Sequence, residues 1–250
     1  MTNTAKAFWY QGPNFGDALT PWLIKKISGR TAEHCHGSLN EPVLMVTGSI
    51  ISDEVDGSVV WGCGFANCME RVPDIGRVCA VRGPKTREKL LAYGVDCPNV
   101  VGDPAILMPR FLPAAPEKKH HLAIIPHFVD YEAAKAAYGE VDGVQVVRLE
   151  DSVEDVVRQI TECRMAVSSS LHGIIAAHAY GLPCLWVKFS NKVLGCGFKF
   201  HDYFASGGLP MVNPVDLSAM PDIATFKDTI PKQMPTINAD ALWAVCPFKP

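Results

Sequence analysis

The chain has 250 residues, 48% of them hydrophobic and 20% charged. That is enough apolar material for one large core or two small ones, and it excludes a disordered chain. The formal net charge of −3 gives a nucleic-acid-binding role no support. No apolar run reaches membrane-spanning length. The opening residues, MTNTAKAFWYQGPNFGD, lack the blocks of a signal peptide, so a cytoplasmic protein is expected.

In chain order, GDALTPWLIKKISG (16–29) reads as a helix with Trp22, Leu23, Ile24 and Ile27 inward and Gly29 as its stop. VLMVTG (43–48), SVVWGCG (58–64), RVCAVRG (77–83) and NVVGD (99–103) are short apolar runs ending in glycine or a polar residue. Such runs fit strands buried on both faces of a parallel sheet. GPKTREKLLAYG (83–94) is a helix with Pro84 in its first turn, Leu90 and Leu91 on its apolar face and Gly94 after its end. PRFLPAAPEKKHH (109–121) has the composition of a linker.

The pattern then restarts. LAIIPHF (122–128), VQVVRL (144–149), MAVSSS (165–170) and PCLWVKF (183–189) read as strands. YEAAKAAYG (131–139), SVEDVVRQITEC (152–163) and HGIIAAHAYG (172–181) read as helices, the second capped by Ser152. Strand–helix alternation in both halves predicts an α/β protein with two doubly wound, Rossmann-like domains, 1–112 and 113–208. A Pro-rich tail, 209–250, carries one late helix, DALWAV (240–245).

Nine cysteines are scattered without a CxxC pair and are expected as buried, reduced thiols. Cys63 and Cys68 with His34 and His36 make a poor imitation of a zinc site.

Ligands of open parallel sheets bind beyond the carboxyl ends of the strands. Those ends here carry Gly48, Gly62, Gly64, Arg82, Gly83, Gly102, Asp103, His127 and the run Ser168 to His172, while NFGD (14–17) precedes a helix. In SSSLHG (168–173) a strand runs into a helix whose first N–H groups are unpaired, a ready anion site. Ser168, Ser169 and Ser170 either cap that helix or add hydroxyl donors. His172 is either a structural histidine or a proton donor. From Cys163 to His201 there is no Asp or Glu, but Arg164, Lys188, Lys192 and Lys199 are present, a field of one sign that favours an anionic ligand. Lys188, after an apolar strand, is the best candidate to enter a cleft. Lys192 and Lys199 are expected on a solvated face, and His178 is expected to be packed or on the surface.

NFGD, WGCG, VRGPKTREKLLAYGV, VGDPA (101–105), IIPHF (124–128) and SSSLHGIIAAHAYGLPCLWVKF (168–189) occur in this order and together resemble the polysaccharide pyruvyl transferase family. GCGFKFHDYFASGG (195–208) is similar to the bacterial exopolysaccharide ketal-pyruvate transferases. The resemblance implies a GT-B-like pair of domains with the ligand cleft between them. It implies phosphoenolpyruvate as donor and a sugar of a polysaccharide, or of its lipid-linked precursor, as acceptor. No metal or organic cofactor is implied, and a lipid-linked acceptor implies at most peripheral contact with the inner membrane face.

On this view His172 is the general acid, His127 a second acid/base or phosphate-binding group, and Asp17 or Asp103 the acceptor of the sugar's proton. Asp103 is equally readable as the cap of the turn before Pro104. Arg82, Ser168, Ser169, Ser170, Leu171, Lys188, Asn14 and Gly48 form the expected donor-binding set. Many family members carry arginine where this chain has Ser170, so another cation, Arg82 or Lys188, is expected to supply that charge. Two other readings share the architecture or the site: a GT-B glycosyltransferase with a nucleotide-sugar donor, and a non-catalytic sugar- or anion-binding protein. The acid-free stretch and the absence of a GxGxxG fingerprint count against the nucleotide donor.

Overall fold

The computed structural model describes residues 3–38, 41–193 and 195–250. It contains two five-stranded sheets, each wholly parallel. The first is built from β1 (Thr4–Ala7), β2 (Thr31–His34), β3 (Val43–Met45), β4 (Ser58–Trp61) and β5 (Arg77–Ala80), in the order β2-β1-β3-β4-β5. The second is built from β6 (His120–Ile125), β7 (Val144–Val146), β8 (Cys163–Ser168), β9 (Cys184–Lys188) and β10 (Val215–Asp216), in the order β10-β9-β8-β6-β7. Numbered within each half, both sheets have the same order, 2-1-3-4-5. The winding direction therefore reverses between the first and third strand of each, which is where open sheets of this kind bind ligands.

The apolar runs that predicted the strands are continuous because both sheet faces are covered. In the first sheet Leu44, Val46, Val59 and Trp61 point into one core, with Leu23 and Ile24 of α1 (Phe15–Ser28). Their neighbours Val43, Met45 and Val60 point into the opposite one, with Leu90 of α2 (Pro84–Ala92). In the second sheet Leu122 and Ile124 alternate in the same way with Ala123 and Ile125. Phe15 and Leu19 of α1 join the core of the second sheet while Leu23 and Ile24 join that of the first, so one helix is shared by both halves.

The helices of the second half are α3 (Tyr131–Tyr138), α4 (Val153–Thr161) and α5 (Leu171–Ala179). Ser152 caps α4 by accepting from the Asp155 N–H at 3.1 Å, an interaction worth about 1 kcal/mol. Two further helices follow, α6 (Phe198–Ser206) and α7 (Ala239–Ala244). The Trp61 indole N–H donates to the Leu242 carbonyl at 3.0 Å, tying α7 to the first sheet.

Several expectations need correction. NVVGD (99–103) is not a strand: it makes a single parallel bridge, Val81 to Val101, because Gly102 and Pro104 interrupt any longer ladder. Strands β1 and β2 are half-polar and escaped the search for apolar runs, as did α6 and the two-residue β10. Leu91 faces solvent while Leu90 is buried, since adjacent helix positions diverge by about 100°. Trp22 is only half-buried. Among the described residues of the first half, the β1 to β2 crossover is an α-helix, while the β3 to β4 and β4 to β5 connections are loops. Among the described residues no helix is long and apolar enough to cross a membrane.

Candidate active site

The segments after β1 and β3 of the first sheet face those after β6 and β8 of the second across a cleft of about 440 Å³. Asn14 and Asp17 come from the β1–α1 junction, Gly48 and Ser49 from the end of β3, and Ala66 and Glu70 from the loop after β4. His127, Phe128 and Val129 follow β6, and Ser170, Leu171 and His172 follow β8. Tyr10, Lys192 and Lys199 complete the lining. Both topological switch points thus open into one space.

His172 sits in the first turn of α5 and reaches across to the first half. Its ring lies over Gly16 of α1, where a Cβ would fall 2.2 Å from Nδ1. This close approach is why the position is glycine. Nε2 lies 3.4 Å from Oδ2 of Asp103. Both atoms are buried with no hydrogen-bond partner among the described residues. The spacing is that of an ion pair, without the alignment of a hydrogen bond. The other carboxylate oxygen of Asp103, Oδ1, accepts from the Ala105 N–H at 3.0 Å and caps a 3-10 turn, Pro104–Arg110. Of the two roles weighed for Asp103, the cap is the one seen: Oδ1 holds the turn, while Oδ2 is buried against His172 and away from the cleft, out of reach of a sugar hydroxyl. The nitrogen left for a ligand is Nδ1 of His172.

Asp17 accepts from the Asn14 side-chain amide at 3.0 Å. Burial raises its pKa, partly offset by that bond and by the nearby His172 and Lys199. Lys199, in the first turn of α6, is pulled down to about 8 by burial and by the Arg82 charge, against the attraction of Asp17 and Glu70. His127 is pushed down to about 4 by burial and by Lys199, so it is neutral at pH 7. Its backbone N–H donates to Ser169 Oγ at 2.8 Å and its Nδ1 accepts from the Val129 N–H at 3.5 Å. Gly48 adopts φ +106, a backbone that only glycine takes without strain.

The structure removes five residues from direct contact with the cleft: Asp103, fully buried behind His172, and four more. Arg82 is fully buried: Nε donates to Asp202 at 3.2 Å, Nη1 to Ser49 Oγ at 2.9 Å and Nη2 to the Phe65 carbonyl at 2.5 Å. Its donors are consumed, and it acts on the cleft through Ser49 and through its field on Lys199. Lys188 points away, paired with Asp216 of β10 at 2.9 Å and with Asn191. Ser168 is buried with its hydroxyl given to the Ile125 and Ser170 carbonyls. Ser169 spends its oxygen on the His127 loop. Ser170 remains in the cleft and caps α5 by accepting from the Gly173 N–H at 3.5 Å. His178 is buried against the Tyr203 hydroxyl, and burial lowers it to about 4.

Conversely, Lys192 and Lys199 were expected on a solvated face and line the cleft. Tyr10, Ser49, Glu70 and Phe128 were not singled out at all. For Lys199 the one local signal is the acid-free stretch itself, which ends at His201 and does not single it out from Lys188 and Lys192.

A family model described as polysaccharide pyruvyl transferase matches residues 58–191, just over half of the chain. The chain belongs to the polysaccharide pyruvyl transferase family. The match includes β8, SSSLHG and β9, and ends before Lys192 and Lys199 of the same wall of the cleft. Among curated relatives, an uncharacterized protein of Acanthamoeba polyphaga mimivirus is 29% identical over 211 residues, covering 81% of this chain and 74% of the relative. The succinoglycan biosynthesis protein ExoV of Rhizobium meliloti (strain 1021) is 27% identical over 211 residues, covering 80% of this chain. This transferase-family chain spans 63% of the length of the Rhizobium protein. No solved structure gives a significant match.

Proposed function

We propose that the protein transfers pyruvate from phosphoenolpyruvate to two hydroxyls of a saccharide in an exopolysaccharide or its lipid-linked precursor, forming a pyruvate ketal and releasing phosphate. The observation that carries this reading is the pairing in one cleft of cationic and N–H donors with a half-buried carboxylate. Lys199, Lys192 and the first N–H groups of α5 suit a small polyanion. Asp17, raised by burial, suits proton removal from a sugar hydroxyl. Membership of the family and the relation to a succinoglycan biosynthesis protein support the same class of reaction.

In this reading His172, held by Asp103 at Nε2, delivers a proton from Nδ1 to the methylene carbon of the donor. The C2 carbon becomes electrophilic, and a sugar hydroxyl attacks it as its proton passes to Asp17. The C–O bond to phosphate breaks, and Lys199 and α5 stabilise the charge that develops on the leaving group. A second hydroxyl then adds to C2 and closes the ketal ring, its proton passing to the vacated Nδ1 of His172. Lys199 takes the part that an arginine at 170 would have had. The exposed rings of Tyr10 and Phe128 at the rim offer apolar faces for the saccharide. The GT-B-like arrangement, with donor and acceptor meeting between two sheets, and action in the cytoplasm on a polysaccharide or its lipid-linked precursor, belong to this proposal. So does the lack of need for a metal or organic cofactor.

Thermal shift separates donors. Phosphoenolpyruvate at millimolar concentration should raise the Tm, and nucleotide sugars should leave it unchanged. The opposite pattern would favour a glycosyltransferase.

A further inference from the structure

Seven of the nine cysteines are buried or partly covered; Cys68 and Cys196 are the exposed pair. They lie 128 positions apart in sequence, yet their sulfurs are 3.9 Å apart. Cys68 belongs to the loop after β4, between Ala66 and Glu70, which both line the cleft. Cys196 lies between Lys192 and Lys199, which line it from the other side. The backbones of the two segments also approach: a Cβ on Gly195 would lie 3.2 Å from the Ala66 carbonyl oxygen.

The two thiols are chemically unequal. Cys196 precedes the N-cap of α6, Gly197, and the backbone N–H groups of Cys68 and Phe198 lower its pKa. A helix N-terminus favours the thiolate, which is the nucleophile. Lys89, whose ammonium donates to the Cys68 carbonyl at 2.9 Å, adds positive charge nearby. Burial raises the thiols of Cys63, Cys97, Cys163 and Cys184, which keeps them inert. A disulfide needs its sulfurs about 2.05 Å apart, so the pair closes by side-chain rotation and a small approach of two exposed loops.

We infer that Cys68 and Cys196 are a reversible redox pair, oxidised by a low-molecular-weight disulfide to a bond that staples the two rims of the cleft. The Cys196 thiolate attacks one sulfur of the oxidant and expels one thiolate, leaving a mixed disulfide. Cys68, having lost its proton to solvent, attacks the Cys196 sulfur and expels the second thiolate. Two thiols are oxidised and one disulfide is reduced to two thiols. The bond ties Glu70 and Lys199 to fixed positions and narrows the opening between them.

The test uses the full chain, reduced, freed of reductant and incubated with glutathione disulfide. Non-reducing peptide mapping should find a Cys68–Cys196 cross-link with the other seven thiols free. The Tm should rise by up to about 10–20 °C, the size expected when a disulfide closes so long a loop, and dithiothreitol should reverse the shift. Cys68→Ser should arrest the reaction with glutathione on Cys196. Glutathione stably bound to both cysteines, no modification of either, or faster reaction at Cys35 or Cys79 would overturn the inference. Because it reads a bond and not turnover, the outcome is independent of the donor and acceptor proposed above.

Discussion

Oδ2 of Asp103 and Nε2 of His172 face each other at 3.4 Å, buried, with no other partner for either among the described residues. Asp103 stands just before the 3-10 turn of the first half and His172 opens α5 of the second, so the pair bridges the two sheets. A carboxylate behind an imidazole fixes its tautomer and stabilises its charged form. Asp103→Asn should therefore lower phosphate release from phosphoenolpyruvate by about 10²–10⁴-fold. It should cost little stability, because the asparagine carbonyl can still cap Ala105. Urea titration beside the activity assay checks both halves of the claim. An active Asp103→Asn protein would leave the aspartate with its capping role alone.

Gly16 offers an independent handle on the same histidine. A Cβ there would sit 2.2 Å from Nδ1, so Gly16→Ala should displace the ring and remove most activity with the far-ultraviolet spectrum intact. In a His172→Ala background the same substitution should cost nothing further, since the two act on one contact. Additive losses would show that Gly16 matters for some other reason.

Lys199 carries a testable trade. Its folded pKa, about 8, lies below its ordinary value, so the unfolded chain binds the extra proton between about pH 8 and 10.5. Stability therefore rises with pH across that window, and the full penalty of burying the ammonium is present below it. Lys199→Met should stabilise the ligand-free protein at pH 7 by up to about 2 kcal/mol while weakening binding of phosphoenolpyruvate. Binding by the wild type should decline as pH rises through 8, and Lys199→Arg should move that decline upward. A variant that binds the donor normally would exclude Lys199 from the donor site.

His127 and His178 are both held near 4 by burial. The unfolded chain takes up two more protons than the folded one as pH falls from about 6.5 towards 4, so stability should drop across that range. Proton titration by NMR should find both rings neutral at pH 6. A midpoint above 6 for His127 would restore it as an acid at neutral pH; on the present geometry it is a neutral hydrogen-bonding group.

Arg82→Ala should behave as a folding defect. The guanidinium and Asp202 are wholly buried, and Asp202 also accepts from Thr86 Oγ1 at 2.7 Å. Removing one partner of such a pair leaves a buried charge unpaired and costs about 3–5 kcal/mol. An Arg82→Ala protein of wild-type stability would contradict the assignment of its donors.

The strands and helices legible in the sequence were those marked by apolar runs, helical periodicity or terminal Gly and Pro: β3 to β9, α1 to α5 and α7. The elements that escaped are held by partners distant in the chain. β2 alternates half-covered and exposed residues at a sheet edge, and β10 is two residues added beside β9. The site was legible where local chemistry marks it, as at SSSLHG, NFGD and Asp103. It was illegible where tertiary contacts decide which way a side chain points. Arg82 and Lys199 show the difference: an arginine at a strand end is swallowed by Asp202, while a lysine among aromatics is turned into the cleft. No local pattern encodes that exchange.

The central claim is that the cleft makes a pyruvate ketal. The most direct measurement is mass spectrometry of an oligosaccharide from an acidic exopolysaccharide after incubation with the protein and phosphoenolpyruvate, with phosphate assayed in parallel. The account predicts a ketal adduct and one phosphate per adduct, both lost in His172→Ala. Sugar transfer from a nucleotide donor, with no phosphate released from phosphoenolpyruvate, would contradict it.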